Sequence, residues 1–265
     1  MTELRRQFIV GVDYESGNSG VDAVTESLQT VAYEHHEIHS NSHYFVRGYV
    51  PEGSFDATDV VDFGFYTDDS TKLVHLLFSY ATRGEVIIQV YEGATVTADT
   101  GSLIVQRGSN RAKTFIGSHT NVASSATVMT DSNASFTVDA LIGWKIYNIT
   151  DGSYGIITDN DATTVTVASL TGGTNNDWDQ DDEYEINRSL SQLKSGPTIT
   201  DTGQLIWSGS VGDSTNPTTG VPGSSGRSSE VILRQGTWYI FRFTSGVNNN
   251  VLSYDAEWYE HTDKN

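Results

Sequence analysis

KLVHLLFSYATRGEVIIQVY, residues 72–91, decides how this chain folds. Val74, Phe78 and Tyr80 in residues 72–80, and Val86, Ile87, Ile88, Val90 and Tyr91 in residues 85–91, make these stretches rich in β-branched and aromatic side chains, the composition of strands. The intervening Ala81-Thr82-Arg83-Gly84 predicts a hairpin, with Gly84 supplying the positive backbone angle of a short loop. The same pattern continues outward in both directions. It recurs at residues 44–50, 60–66 and 102–106, and then at 204–211, 230–233, 237–243 and 251–259, with Gly, Asp, Ser and Thr turns between. Helical spacing is confined to residues 22–33, through Val24, Leu28 and Val31. Many short strands without alternating helices predict an all-β fold, an antiparallel jelly roll or β-sandwich.

The middle of the chain has a different character. Asn110-Arg111 recurs as Asn187-Arg188, and the stretch between is poor in Lys and Arg and rich in Thr, Asp, Asn and Ala. It carries its own strand signals at 125–129, 144–149, 155–158, 163–168 and 183–186. This predicts a small β module, residues 112–187, inserted into a discontinuous base domain of residues 1–111 and 188–265, with its ends close together as tolerated insertions have them. Thr150-Asp151-Gly152-Ser153 and Thr171-Gly172-Gly173-Thr174 predict hairpin turns.

Composition excludes several function classes. The 265 residues hold 15 Lys and Arg against 34 Asp and Glu, a net charge of −19 that repels phosphate backbones and anionic membranes. Neither nucleic acid nor a membrane is expected as a partner. Cysteine is absent, which excludes thiol catalysis and cysteine-based metal sites and favours intracellular synthesis. Arg5 and Arg6 precede only the short apolar run 8–12, too short for a signal peptide, and no segment approaches membrane-spanning length.

Two clusters are candidate metal sites. EHHEIHSNSHYFV, residues 34–46, places four of the seven histidines within nine residues. On a helix His35 and His39 would share a face, and Glu37 or His43 would complete a three-ligand site. Extended, Glu37, His39 and His43 share one side and His36 lies on the other. His36-Glu37-Ile38-His39 is one residue short of the zinc-protease helix, and no His-x-His of the cupin type occurs, so hydrogen bonding to neighbouring strands or a partner is the preferred reading. In the module, Asp177, Asp179 and Asp181 have the spacing of the first half of a calcium loop, but that loop's Gly and closing Glu positions hold Asp182 and Arg188. A solvated, turn-forming acidic loop is preferred there.

Catalytic signatures are missing. No G-x-S-x-G, G-x-G-x-x-G or P-loop is present. The reading is therefore of a protein that is not an enzyme and carries no cofactor. Trp178, Trp207, Trp238 and Trp258 are candidates for stacking on sugar rings, with Trp238 and Trp258 better suited to a core. GDSTNPTTGVPGSSGRSS, residues 212–229, is too long for a hairpin turn and too polar for a core, and suits a partner-contact loop through Asn216, Pro217, Pro222 and Arg227, mobile alone and ordered against a partner.

The run YEHHEIHSNSHYF (residues 33–45), with GTWYIFRF (236–243) and AEWYEH (256–261), resembles a family of head-associated virion proteins of tailed bacteriophages. TDSNASFTVDALIGWKIYNITDGSYGIIT and GGTNNDWDQDDEYEI, inside the insertion, are similar to a module that recurs in phage surface and fibre proteins. The resemblance implies a capsid decoration or cement protein, made in the host cytoplasm and mounted on the outer surface of the virion. Its partner would be the major capsid protein or another virion protein. It would be a homo-oligomer, a trimer by preference, with the jelly-roll base on the shell and the module outward. The alternatives are a tail or head fibre adhesin for host glycans, and a metal-dependent enzyme built on the histidine run.

Overall fold

The computed structural model describes residues 33–67, 71–98, 100–213, 221–222 and 230–262. Of the helix read at residues 22–33, all but Tyr33 lies outside them, and Tyr33 opens the helix described next. Residues Met1–His36 and Glu37–Asn265 fall into separate compact units, and the second holds every strand described. One helix, α1 (Tyr33–His39), is present among the described residues, and none is long and apolar enough to cross a membrane.

Two six-stranded antiparallel sheets form the base. The first contains β1 (His43–Val50), β3 (Leu73–Thr82), β7 (Arg107–Gly108), β17 (Val221–Pro222), β18 (Val231–Leu233) and β20 (Leu252–His261), in the order β17-β3-β20-β1-β7 with β18 also on β3. The second contains β2 (Val60–Tyr66), β4 (Val86–Glu92), β6 (Ser102–Ile104), β14 (Gln192–Ser195), β16 (Gln204–Val211) and β19 (Trp238–Ser245), in the order β16-β4-β19-β2-β14-β6. A short pair, β5 (Thr95–Val96) with β15 (Ile199–Asp201), stands apart. Of these strands β1, β3, β18 and β20 lie in one sheet and β2, β4, β16 and β19 in the other, so in chain order this set changes sheet at each step except from β4 to β16.

That alternation corrects the hairpin expected at residues 72–91. β3 pairs with β20, β17 and β18, whereas β4 pairs with β16 and β19, so the two strands face each other across the sandwich. The inward side chains explain it. Val74 and Leu76 of β3 and Val86 and Ile88 of β4 all enter one core, and strands with one apolar face each bury more by meeting face to face than edge to edge. The link between them crosses from sheet to sheet, and Gly84 does not take a positive φ there. Its N–H donates instead to Asn250 Oδ1, 2.8 Å away.

Aromatic rings knit the two sheets. Phe65 of β2 meets Trp258 of β20 edge to face at 5.2 Å, and Phe63 of β2 meets Tyr254 of β20 at 4.3 Å. Each fully buried ring among them contributes roughly 1.5–3 kcal/mol through removal from water.

The third sheet belongs wholly to residues 115–187: β8 (Phe115–Ser118), β9 (Val128–Thr130), β10 (Lys145–Asn148), β11 (Tyr154–Asn160), β12 (Thr164–Val167) and β13 (Glu183–Asn187), in the order β8-β13-β10-β11-β12-β9. It has its own core, which includes Met129, Ile146, Ile157, Val165, Trp178 and Ile186. Gly152, at φ +82°, turns β10 into β11. Gly172, at φ +88°, sits on the connection from β12 to β13, which do not pair, so that turn is not the hairpin it was read as.

A polar seam joins this sheet to the base. Glu185, fully buried, receives Arg107 Nη1 at 2.6 Å and Arg111 Nη1 at 2.8 Å. Gln106 Nε2 donates to Asn187 Oδ1 at 3.1 Å, and Lys145 Nζ to the Leu190 carbonyl at 2.7 Å. Glu260, also buried, accepts from Ser189 Oγ and from Trp258 Nε1, and burial pushes its carboxyl up from the ordinary range.

Candidate functional site

Among the described residues the histidine run does not gather into a three-ligand cluster. Residues up to His39 are helical rather than extended, so His35, His36, Glu37 and His39 belong to α1 while His43 opens β1. Glu37 is buried, His36 and His39 are exposed, and His43 is buried with Nδ1 2.6 Å from Ser109 Oγ, the structural partnership its sequence context favoured. Among the described residues no three His, Asp or Glu side chains are placed to hold a metal ion.

The acidic loop is likewise held by its own hydrogen bonds. Asp179 accepts from Ser124 Oγ and from Asn175 Nδ2. Asp181 takes a turn conformation at φ +70°. Asp182, buried, accepts from Asn148 Nδ2 at 2.7 Å and from the Asp179 N–H at 2.9 Å. Asp177 joins no cation site with them. Trp178 is fully buried in the module core, which corrects its reading as an exposed sugar-stacking ring and pins the loop inward. Of the partner-contact candidates, Asn216, Pro217 and Arg227 lie outside the described residues, and Pro222 pairs in β17 opposite Ala81.

What the fold does assemble is an opening at one side of the base sandwich. A cavity of about 430 Å³ lies between β3 and β18 of one sheet and β4, β16 and β19 of the other. Phe78 and Phe241 line it, Ile88 and Val90 rise from β4, and Ile206, Trp207 and Val231 form its lip. Consecutive residues of a regular strand point to opposite faces. A bulge between Leu205 and Trp207 breaks that rule, leaving Ile206 as the extra residue and turning both Ile206 and Trp207 toward the opening. The volume is that of small ligand pockets, well above a packing defect.

The polar atoms near this opening are few. Tyr239 donates its hydroxyl to Glu92 Oε2 at 3.0 Å and accepts the Arg234 N–H at 2.8 Å. Burial, with the Glu92 hydrogen bond, pushes its phenol up to about 12.

A second constellation lies on the outer face of the first sheet, on side chains the sequence reading passed over. His75 Nδ1 is 2.7 Å from Glu230 Oε1, and Tyr259 donates its hydroxyl to the same oxygen at 2.6 Å. His75 Nε2 stands 2.7 Å from His261 Nε2. The two histidines are 186 positions apart, and only the β3–β20 register brings them together. A usable sequence signal would have been their outward parity on neighbouring strands, which requires the strand order first.

No protein-family model, curated protein or solved structure matches the chain.

Proposed function

We propose that the protein is a structural component of a tailed-bacteriophage virion, a decoration protein that seats on the major capsid protein at the outer surface of the head. The observation that carries this reading is the uncovered apolar lip. Leu205, Ile206 and Trp207 are between 45% and 47% exposed, on a strand that ends its sheet. Val231 and Ile232 are similarly exposed on the strand that flanks the opening from the other sheet. An edge of this composition is a site of association unless a partner covers it. The division of the strands between two facing antiparallel sheets supports the same reading, since it suits a two-sheet jelly roll, an architecture used in viral capsid domains. Fold alone does not fix function, so the weight rests on the lip.

In this reading the sandwich docks by its open side and a trimer repeats the contact around an axis, so that individually weak contacts add. The net charge of −19 keeps the subunits soluble before assembly and away from packaged DNA. Cosedimentation with heads stripped of decoration provides the test. Trp207→Asp and Ile206→Asp, at exposed positions, should fold normally and lose at least tenfold in binding. Undiminished head binding by both variants, or a location on the tail alone, would overturn the proposal.

A further inference from the structure

The end strands of the module sheet, β8 and β9, meet at one point and then part. The Thr120 N–H donates to the Thr130 carbonyl at 2.7 Å. At Asp131 the chain turns away from β8: the Asp131 N–H donates to the Thr163 carbonyl at 2.8 Å, and its carboxylate accepts the Asn133 N–H at 2.9 Å. Beside β8 this leaves a cleft of about 480 Å³ between residues 115–118 and residues 131–136, a volume that suits a small ligand or a short length of chain.

Backbone parity shows what borders the cleft. The His119 N–H donates to the Asp182 carbonyl at 2.8 Å, and the His119 carbonyl accepts the Asp181 N–H at 2.9 Å, so His119 turns its backbone groups to the β13 side. In an antiparallel ladder alternate residues bond the same neighbour. Gly117 and Phe115 therefore turn to β13 as well, and Ile116, Ser118 and Thr120 turn the other way. The Thr120–Thr130 bond agrees, and so does Glu183, opposite Ser118, whose carbonyl accepts the Ile149 N–H on the far side of β13. No described group pairs with the N–H or C=O of Ile116 or Ser118. The cleft also holds a carboxylate without a countercharge. Asp131 is 5% exposed and accepts the Tyr184 hydroxyl at 2.9 Å, and among the described residues no Lys or Arg meets it. It lies against Gly117, where an added Cβ would collide with Asp131 Oδ2.

We propose that β8 takes up an extended peptide as an added antiparallel strand, with a Lys or Arg side chain of that peptide seated on Asp131. β9, antiparallel to β8 through the ladders that join them, sets the direction, and the peptide continues its line. Peptide residues opposite Ile116 and Ser118 exchange N–H and C=O with them, the main-chain bonding by which sheet edges capture extended chains. The residue between stands opposite Gly117. Directly opposed residues point to the same face, so its side chain enters over the bare glycine toward Asp131. A buried carboxylate is stabilised by a cation that reaches it, and the net charge of −19 draws basic chains. The cleft suits a saccharide less, since its rings are engaged with one another: Phe115 meets Phe136 edge to face at 5.7 Å and lies 6.1 Å from Trp144, and Phe136 is buried.

The test is fluorescence anisotropy of the full-length protein with blocked, dye-labelled pentapeptides Thr-Val-X-Val-Thr, with Lys, Arg, Gln or Glu at X. The Lys and Arg peptides should saturate one site per chain, and the Glu peptide should bind at least about tenfold more weakly. Asp131→Asn should erase that ranking. Ser118→Pro removes an N–H that faces the cleft, at an edge position where proline is tolerated, and should abolish binding of all four. Hydrogen exchange at the Ile116 and Ser118 amides should slow when the Lys peptide is bound. The ranking of Lys over Glu is read on the unaltered protein, so misfolding of a variant does not confound it. Absence of saturable binding by the Lys and Arg peptides, equal affinity for the Lys and Glu peptides, or full affinity in Ser118→Pro would overturn the proposal, whether or not the protein docks on heads. Saturation by oligosaccharides with none by the peptides would do the same.

Discussion

The ring of Phe78 lies flat on that of Phe241, centroids 4.3 Å apart and planes 10° from parallel, and so joins the two sheets of the base beside the cavity. Removing one partner enlarges a space that is already unfilled, with little prospect of collapse around it. Phe241→Ala should therefore cost about 3–5 kcal/mol in chemical denaturation. Trp207→Asp, on the exposed lip of the same cavity, should cost less than about 1 kcal/mol. Equal losses from the two would show that the lip belongs to the core.

The seam between module and base has an asymmetric ion pair, and the asymmetry predicts which substitution hurts more. Glu185 is fully buried, whereas the side chains of Arg107 and Arg111 are 36% and 45% exposed. Removing both arginines strands a buried carboxylate, at about 3–5 kcal/mol. Glu185→Gln leaves two guanidiniums that already reach water, and should cost less. Proteolysis at residues 109–113 should accelerate in the double arginine variant first; the reverse order would refute this account of the seam.

Glu260 links stability to pH in the acid-to-neutral range. Burial raises its carboxyl above the unfolded value, so the folded state holds the proton more tightly. Its contribution is most favourable below the unfolded value of about 4.3 and declines as pH rises toward the folded one. Glu260→Gln keeps an oxygen for Ser189 Oγ and Trp258 Nε1 and carries no charge to desolvate. Its melting temperature relative to wild type should rise as pH climbs above the unfolded carboxyl value of about 4.3, and parallel curves for the two proteins would count against the assignment.

At the alkaline end the tyrosines dominate. Tyr239 is pushed up to about 12 by burial and the Glu92 hydrogen bond, and burial also raises Tyr44, Tyr147 and Tyr184. A phenol raised on folding favours the folded state only while protonated, so stability should fall as pH climbs from about 10 to 12. Phenolate absorbance should appear together with unfolding. Ionisation of these rings well before loss of structure would contradict their burial.

How far the sequence carried the reading depends on whether the deciding contacts were local. Strand positions were legible because alternation is a property of neighbours: residues 60–66 and 204–211 were read with the limits that β2 and β16 have. Strand partners were not, because the choice between pairing β3 with β4 and stacking them is made by β16, β18, β19 and β20, far along the chain. Trp178 misled for a related reason. Its eight polar or acidic neighbours in residues 175–183 suggested water, but its ring completes a core supplied by Met129, Ile146 and Ile186. The four clustered histidines drew the metal reading, yet proximity along a helix and a strand gave no convergence, while the solitary His75 and His261 met.

Gln106 and Asn187, hydrogen-bonded to each other, mark where the polypeptide leaves the base and where it comes back. Arg107, Arg111 and Lys145 add bonds at the same place, so the host feels whatever is set against that seam. A cassette with similarly spaced termini, and with an acid in place of Glu185 to meet the two arginines, could be spliced into the same slot without rebuilding the foundation.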